Sequence, residues 1–216
     1  MFVVTADQLD SSRSPDLVPA ALEALRSSGV EWRLPPERTA GDEVQGVPVD
    51  ATSALRAVLC LHRLGRWRIG LGVGTVEKPL PGSTRAARGP AFLAARRAVE
   101  RAGRRGAGRF ALEAGDASDE PAARGAQALV GLLLDLREGR SERGWQAYEL
   151  ALAGLDAQAA ARRLGVTPGA YRQRLSAARV KLEQDALEPV AAALAAADGA
   201  DGGRPRRAPG SERGAP

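Results

Sequence analysis

Two aspartates, Asp7 and Asp42, are placed where a divalent cation could bind between them. Asp7 follows the apolar run 2–6, which predicts a strand, and Asp42 follows Gly41 in a predicted hairpin turn. Two close carboxylates repel each other, and a shared proton or cation relieves that repulsion. Carboxylate oxygens suit Mg²⁺ or Mn²⁺ held jointly with phosphate, and glycine lets the backbone pass close to a ligand. A purely structural interpretation stays open, because Gly-Asp is ordinary turn chemistry.

A second group of residues, within 155–182, is suited to contacting DNA. Asp156 can cap a first helix, and Gly165 permits the sharp turn that follows it. Thr167 can cap a second helix, whose first turn accepts Pro168. The segment resembles a helix-turn-helix, close in style to region 4 of sigma factors. The alternative is a plain helical hairpin with a solvated basic face.

The second helix of this segment is predicted to have an apolar and a polar face. Its apolar stripe would be Tyr171, Leu175, Ala178 and Leu182. Arg172 and Gln173 are the candidates for reading base edges, because Arg pairs with guanine and Gln with adenine. Residues 168–182 include four basic and no acidic side chains, which suits a helix in the major groove. The complete candidate DNA-binding set is Thr167, Arg172, Gln173, Ser176, Arg179 and Lys181.

Strands and helices alternate in the first half of the chain, in the predicted order β-α-β-β-α-β-α-β. Ser14 is expected to cap the first of these helices. Residues 30–38 and 44–49 form a predicted hairpin, so we expect an α+β fold around one mixed sheet. Gly70, Gly72 and Gly74 lie within a strand and are interpreted as close helix packing, not as a dinucleotide site. The expected organisation is an α+β domain over 1–117, a connecting helix over 118–140, an all-α helix-turn-helix domain over 141–197 and a disordered tail over 198–216.

Composition narrows the classes of protein that the chain can belong to. The 216 residues carry a net charge of +5, which permits contact with nucleic acid. The single cysteine and the single histidine exclude a disulfide framework, a Cys-rich zinc site and a His-pair metal motif. Cys60 is interpreted as a core thiol and His62 as a surface residue. No apolar run approaches the roughly 20 residues of a membrane span and no signal peptide is recognised, so we expect a cytoplasmic protein.

The segment 7–102 resembles the nucleotidyl cyclase catalytic fold. The resemblance is carried by Asp7, the string Arg38-x-x-Gly41-Asp42, the glycine-rich strand that begins at Trp67, and the string Gly89-Pro-Ala-Phe-Leu-Ala-Ala-Arg96. It implies a ferredoxin-like core, Mg²⁺ or Mn²⁺ at Asp7 and Asp42, and a nucleotide at Arg38, Gly41 and Arg96, with Arg97 as the alternative phosphate-facing arginine.

The chain also departs from the class III cyclase pattern. Leu93 replaces the transition-state Asn, Ala86 lies near the position of the base-reading acid, and Arg38 replaces the base-reading Lys. A site without polar groups aimed at the developing charge loses most of its rate advantage, so cyclase turnover is not expected.

Three strings resemble the SatD family of small bacterial proteins, which are generally described as DNA-binding regulators. They are Ala6-Asp7-x-x-x-Ser11-Ser12-Arg13, Gly41-Asp42-Glu43-Val44-Gln45-Gly46 and Gly89-Pro-Ala-Phe-x-Ala-Ala-Arg96. The leading hypothesis is a homodimeric transcription regulator that binds double-stranded DNA. Its degenerate cyclase-like domain would sense a ligand or mediate dimerisation. The alternatives are an Mg²⁺- or Mn²⁺-dependent enzyme of nucleoside triphosphates and a protein-interaction module.

Overall fold

The computed structural model describes residues 1–103 and 109–199. Within these residues the strands are β1 (Phe2–Gln8), β2 (Trp32–Arg38), β3 (Glu43–Pro48), β4 (Trp67–Val73) and β5 (Phe110–Ala114). The helices are α1 (Val18–Ser27), α2 (Ala51–Leu64), α3 (Pro90–Ala102), α4 (Glu120–Glu138), α5 (Glu142–Leu152), α6 (Ala157–Leu164), α7 (Pro168–Ala177) and α8 (Val180–Ala197). The predicted order of strands and helices in the first half is confirmed.

The strands form one mixed sheet in the order β2-β3-β1-β4-β5. Strand β1 pairs antiparallel with both β3 and β4, while β5 runs parallel to β4. The predicted hairpin is β2 and β3, whose antiparallel pairing is irregular around Pro35 and Pro36 because proline cannot donate to the ladder. The fold class is therefore α+β, as predicted.

The two faces of the sheet are covered by different helices. Along β1, Phe2, Val4 and Ala6 enter a large core that α1, α2, α4 and α8 share, and Val3 enters a smaller core beneath α3. Helix α3 lies so close to β4 that a Cβ at Gly72 would be 2.1 Å from the carbonyl oxygen of Ala91. The glycine-rich strand is therefore explained by close helix packing, as predicted.

The last helix returns to the sheet. Val190 and Leu194 of α8 are buried in the same core as β1, and Asp198 forms an ion pair with the amino group of Met1. Helices α4 and α8 both contribute to this core, and α5, α6 and α7 connect them along the chain. The predicted tail lies outside the described residues from position 200 onward.

Three local predictions are wrong. Leu182 is not on the stripe of the second helix, because α7 ends at Ala177 and Leu182 is an exposed residue of α8. Ser14 does not cap α1, which begins four residues later, and its hydroxyl donates to the Asp10 carbonyl. His62 is not a surface residue, since only 10% of its side chain is exposed.

In the described part of the chain, no helix has the length and apolar character needed to cross a bilayer.

Candidate nucleic-acid interface

Helices α6 and α7 are joined by a short, well-capped turn. The Asp156 carboxylate accepts hydrogen bonds from the backbone N–H groups of Gln158 and Ala159, both at 2.8 Å. Gly165 ends α6 with a φ of +64°, a conformation that glycine adopts without steric cost. The Thr167 hydroxyl then accepts from the backbone N–H of Ala170 at 3.1 Å and begins α7. Both predicted caps and the predicted turn are confirmed.

Helix α7 is anchored through one aromatic side chain. Tyr171 is 2% exposed and packs with Ala147 of α5 and with Ala160 and Ala161 of α6. Its hydroxyl donates to the Ala147 carbonyl at 3.4 Å. Small residues at these positions let the three helices approach closely, so α5 is the supporting helix of the unit. The orientation of α7 therefore depends on a packed core and not on solvent-exposed contacts.

The polar face of α7 is open to solvent. Arg172, Gln173 and Ser176 are exposed, and Thr167 is exposed at the start of the helix. In the described part of the chain, no acidic side chain forms an ion pair with Arg172. The guanidinium is thus available to an external anion.

The other two candidates, Arg179 and Lys181, lie beyond the end of α7. Arg179 has a φ of +51° and begins α8, where Lys181 pairs with Asp185. Both side chains are exposed, and they follow α7 as a separate basic segment. Residues 157–179 include five basic and no acidic side chains, so this segment carries only positive charge.

A buried cluster of charged side chains connects the helices that flank α6 and α7. Glu183 of α8 is fully buried and pairs with Arg137, at the end of α4, and with Arg140, in the loop before α5. The Tyr148 hydroxyl donates to Glu183 Oε1 at 2.8 Å, and the Arg137 and Arg140 guanidiniums lie 4.8 and 4.4 Å from the ring centre of Trp145. Helices α4, α5 and α8 are therefore joined by one set of charge-assisted and cation–π contacts.

This cluster also explains the break between α7 and α8. The Nε of Arg140 donates to the Ala178 carbonyl at 3.0 Å, and so satisfies a carbonyl that the end of α7 leaves without a helical partner. Burial and the negative charge of Glu183 raise the pKa of Tyr148, which keeps its hydroxyl protonated as a donor. Sequence reasoning missed the cluster, because 46 residues separate Arg137 from Glu183.

The two candidate metal-binding aspartates lie at one end of the sheet. Asp7 is opposite Glu43 in the β1–β3 ladder, and its carboxylate pairs with Arg68 of β4 at 3.2 Å. Burial and the negative charges of Asp42 and Glu43 raise the pKa of Asp7, whereas Arg68 acts in the opposite direction. The backbone N–H of Gln8 donates to the Asp42 carbonyl at 3.2 Å, so the hairpin turn places Asp42 beside the end of β1.

The three candidate nucleotide-binding residues lie on two different elements, the β2–β3 hairpin and α3. Arg38 lies in the hairpin, where it pairs with Asp16 and donates to the Gly41 carbonyl at 2.7 Å. Arg96 is on the outer side of α3, with 75% of its side chain exposed, and pairs with Glu100. The hairpin therefore brings Arg38 and Gly41 together, while Arg96 lies on α3 and pairs with Glu100 of the same helix.

A divalent cation fits this end of the sheet only in part. Carboxylate oxygens are suitable ligands for Mg²⁺ or Mn²⁺, but the guanidinium of Arg68 already neutralises Asp7. Across residues 1–103 and 109–199, no group of three or more His, Cys, Asp or Glu side chains has an arrangement that could hold a metal ion. A cation at Asp7 and Asp42 would therefore need further ligands from outside these side chains, such as the phosphates of a nucleotide.

Comparison with known proteins adds no relative: no protein-family model, curated protein or solved structure matches this chain.

Proposed function

We propose that this protein is a transcription regulator that binds double-stranded DNA through α7. The observation that carries the proposal is the exposed Arg172–Gln173–Ser176 face of a helix that Tyr171 anchors in a buried core. A helix entering the major groove needs a fixed axis, an uncommitted polar face and no negative charge. Helix α7 has these three properties, and its capped turn to α6 is typical of the helix-turn-helix.

Within this proposal the exposed side chains have different roles. Arg172 and Gln173 would contact base edges, with Thr167 and Ser176 beside them at the start and middle of α7. Arg179 and Lys181 would contact phosphates, which fix orientation without reading sequence. For Lys181 this requires exchange of Asp185 for a phosphate, and an exposed pair of this kind is weak enough to allow it.

The sheet would serve as the sensing or dimerising part of the regulator. Its antiparallel strands in the order β2-β3-β1-β4 support a ferredoxin-like, cyclase-like interpretation, and β5 extends that core. The strings resembling the SatD family support the same assignment. We expect a homodimer, because helix-turn-helix proteins commonly bind two half-sites, and a cytoplasmic location, because the SatD-like strings imply a bacterial regulator, whose DNA is in the cytoplasm.

The proposal is tested by selecting bound sequences from a random DNA pool and measuring the affinity of the selected DNA by fluorescence anisotropy. The double variant Arg172→Ala, Gln173→Ala should lose at least tenfold in affinity and remain folded. The matched control Arg124→Ala, Gln184→Ala removes the same residue types from exposed positions of α4 and α8 and should bind normally. Equal affinities of the two double variants would contradict the proposal.

A second candidate function is Mg²⁺- or Mn²⁺-dependent binding or turnover of a nucleotide at Asp7 and Asp42. The placement of Asp42 beside the end of β1 favours it, since the Gln8 N–H donates to the Asp42 carbonyl at 3.2 Å and a cation would relieve the repulsion between the two carboxylates. Titration of ATP and GTP with Mg²⁺, followed by calorimetry and product analysis, tests it with Asp42→Asn as the variant. Absence of binding and turnover in the unmodified protein would refute it.

A further inference from the structure

A large apolar cleft separates the sheet from the helix-turn-helix unit. It has a volume of about 1130 Å³, and its walls come mainly from α2, α5 and α8. Leu55 and Leu59 line it from α2, Leu152 from α5, and Leu187 and Ala192 from α8. Leu152 is 59% exposed and therefore leaves apolar surface open at the cleft. The cleft therefore has the size and lining of a small-molecule site.

The cleft is lined by three arginines (Arg56, Arg63 and Arg137) and four carboxylates (Asp50, Glu149, Glu188 and Asp198), and arginines outnumber carboxylates only where it adjoins a smaller cavity. Arg63, Arg137 and Trp145 line both the apolar cleft and a smaller neighbouring cavity of about 420 Å³. The smaller cavity adds Arg109, whose guanidinium donates to the Gly65 carbonyl and has no acidic partner in the described part of the chain. Of the three arginines in its lining, Arg63 already pairs with Glu149 and Arg137 with Glu183, so Arg109 is the positive charge that would attract a negative group there.

The combination of an apolar body and a cationic end determines the class of ligand. We propose that the cleft binds a small amphipathic carboxylate, such as a fatty acid, with its chain among the leucines and its carboxylate beside Arg63. Arg63 lies 4.3 Å from the ring centre of Trp145, and 40% of its side chain is exposed. A carboxylate at this point would compete with Glu149, whose existing contact with Arg63 is an exposed pair of little energetic value.

The cleft also has a regulatory consequence, which rests on the proposed DNA-binding function. Its walls belong to α2, which packs on the sheet, and to α5, which supports α7. A ligand that contacts both would favour one arrangement of the two parts, and its binding would be coupled to that of DNA. Measuring ligand binding without DNA keeps the test of the site independent of this consequence.

The test measures binding of dodecanoate below its micellar concentration by isothermal titration calorimetry. The unmodified protein should bind one equivalent, and Ala192→Trp, which fills the cleft from an exposed position, should weaken binding at least tenfold. Ala196→Trp is the matched control, because Ala196 is also exposed on α8 but does not line the cleft. No binding, or equal binding by both tryptophan variants, would overturn the proposal.

Ligands of opposite charge test whether the arginine-lined end of the cleft selects a carboxylate. Dodecylamine, as its cation, should bind at least tenfold more weakly than dodecanoate, and Arg109→Gln should reduce this preference. Arg66→Gln, an exposed arginine outside both cavities, should leave the preference unchanged. Equal affinity for the two probes in the unmodified protein would refute the carboxylate assignment.

Cys60 gives a second readout that does not depend on a substitution. It is the only cysteine and lines the cleft, so bound dodecanoate should slow its modification by a disulfide reagent. Unchanged modification at saturating dodecanoate would contradict the site. A ligand-free dimer that Ala192→Trp converts to monomer would also overturn the proposal, because a second copy of the chain would then occupy the cleft.

Discussion

Removing the negative charge of Glu183 should strongly destabilise the protein. Glu183 is fully buried between Arg137 and Arg140, so Glu183→Gln keeps the side-chain size but leaves two buried guanidiniums without a counter-charge. Breaking a buried ion pair by removing one partner typically costs about 3–5 kcal/mol, because the remaining charge stays desolvated. At about 2–4 °C per kcal/mol for a chain of this size, Tm should fall by about 6–20 °C.

Chemical denaturation at neutral pH measures this effect directly. Glu188→Gln is the matched control, since Glu188 is an exposed residue of the same helix and loses the same charge. It should change the free energy of unfolding by less than about 0.5 kcal/mol. The triple variant Arg137→Met, Arg140→Met, Glu183→Leu should be more stable than Glu183→Gln alone, because no buried charge remains unpaired. Equal stability of Glu183→Gln and Glu188→Gln would refute the reasoning.

Three further predictions concern packing, capping and pH. Gly72→Ala should lower the free energy of unfolding by about 1–3 kcal/mol, because the new Cβ would meet the backbone of α3. Gly82 has open space around it, so Gly82→Ala should unfold at nearly the same denaturant concentration as the unmodified protein. Thr167→Ala should cost about 1 kcal/mol through the lost cap of α7 and should weaken DNA binding, as thermal melts and anisotropy would show. Burial and the nearby Arg137 lower the pKa of His62 below 6.5. Below pH 6.5 the unfolded chain therefore binds a proton at His62 more readily than the folded protein does. The free energy of unfolding should consequently fall as the pH drops below 6.5. His62→Gln should therefore lose less stability than the unmodified protein between pH 7.5 and 5.5 in urea denaturation, and an equal loss in both would contradict this assignment.

Local signals predicted the parts of the fold that depend on a few neighbouring residues. The caps at Asp156 and Thr167 and the turn at Gly165 follow from side-chain and backbone chemistry within four residues. The hairpin and the close packing at Gly72 were predictable for the same reason, because alternating apolar residues and glycines in a strand have few structural interpretations.

Features that depend on tertiary contacts could not be predicted in this way. No glycine or proline marks the break after Ala177, and the continuous apolar spacing predicted a longer helix. The break is stabilised by Arg140, which lies 38 residues earlier in the chain and donates to the Ala178 carbonyl. The burial of His62 likewise results from packing that brings Glu138 and Arg137 beside it.

Chromosomal occupancy of the tagged protein tests most directly whether α7 reads DNA. Discrete sites are expected for the unmodified protein and for the Arg124→Ala, Gln184→Ala control, and their loss is expected in Arg172→Ala, Gln173→Ala. Occupancy at the same sites in all three proteins, or at no site in any of them, would contradict the proposed reading of DNA by α7.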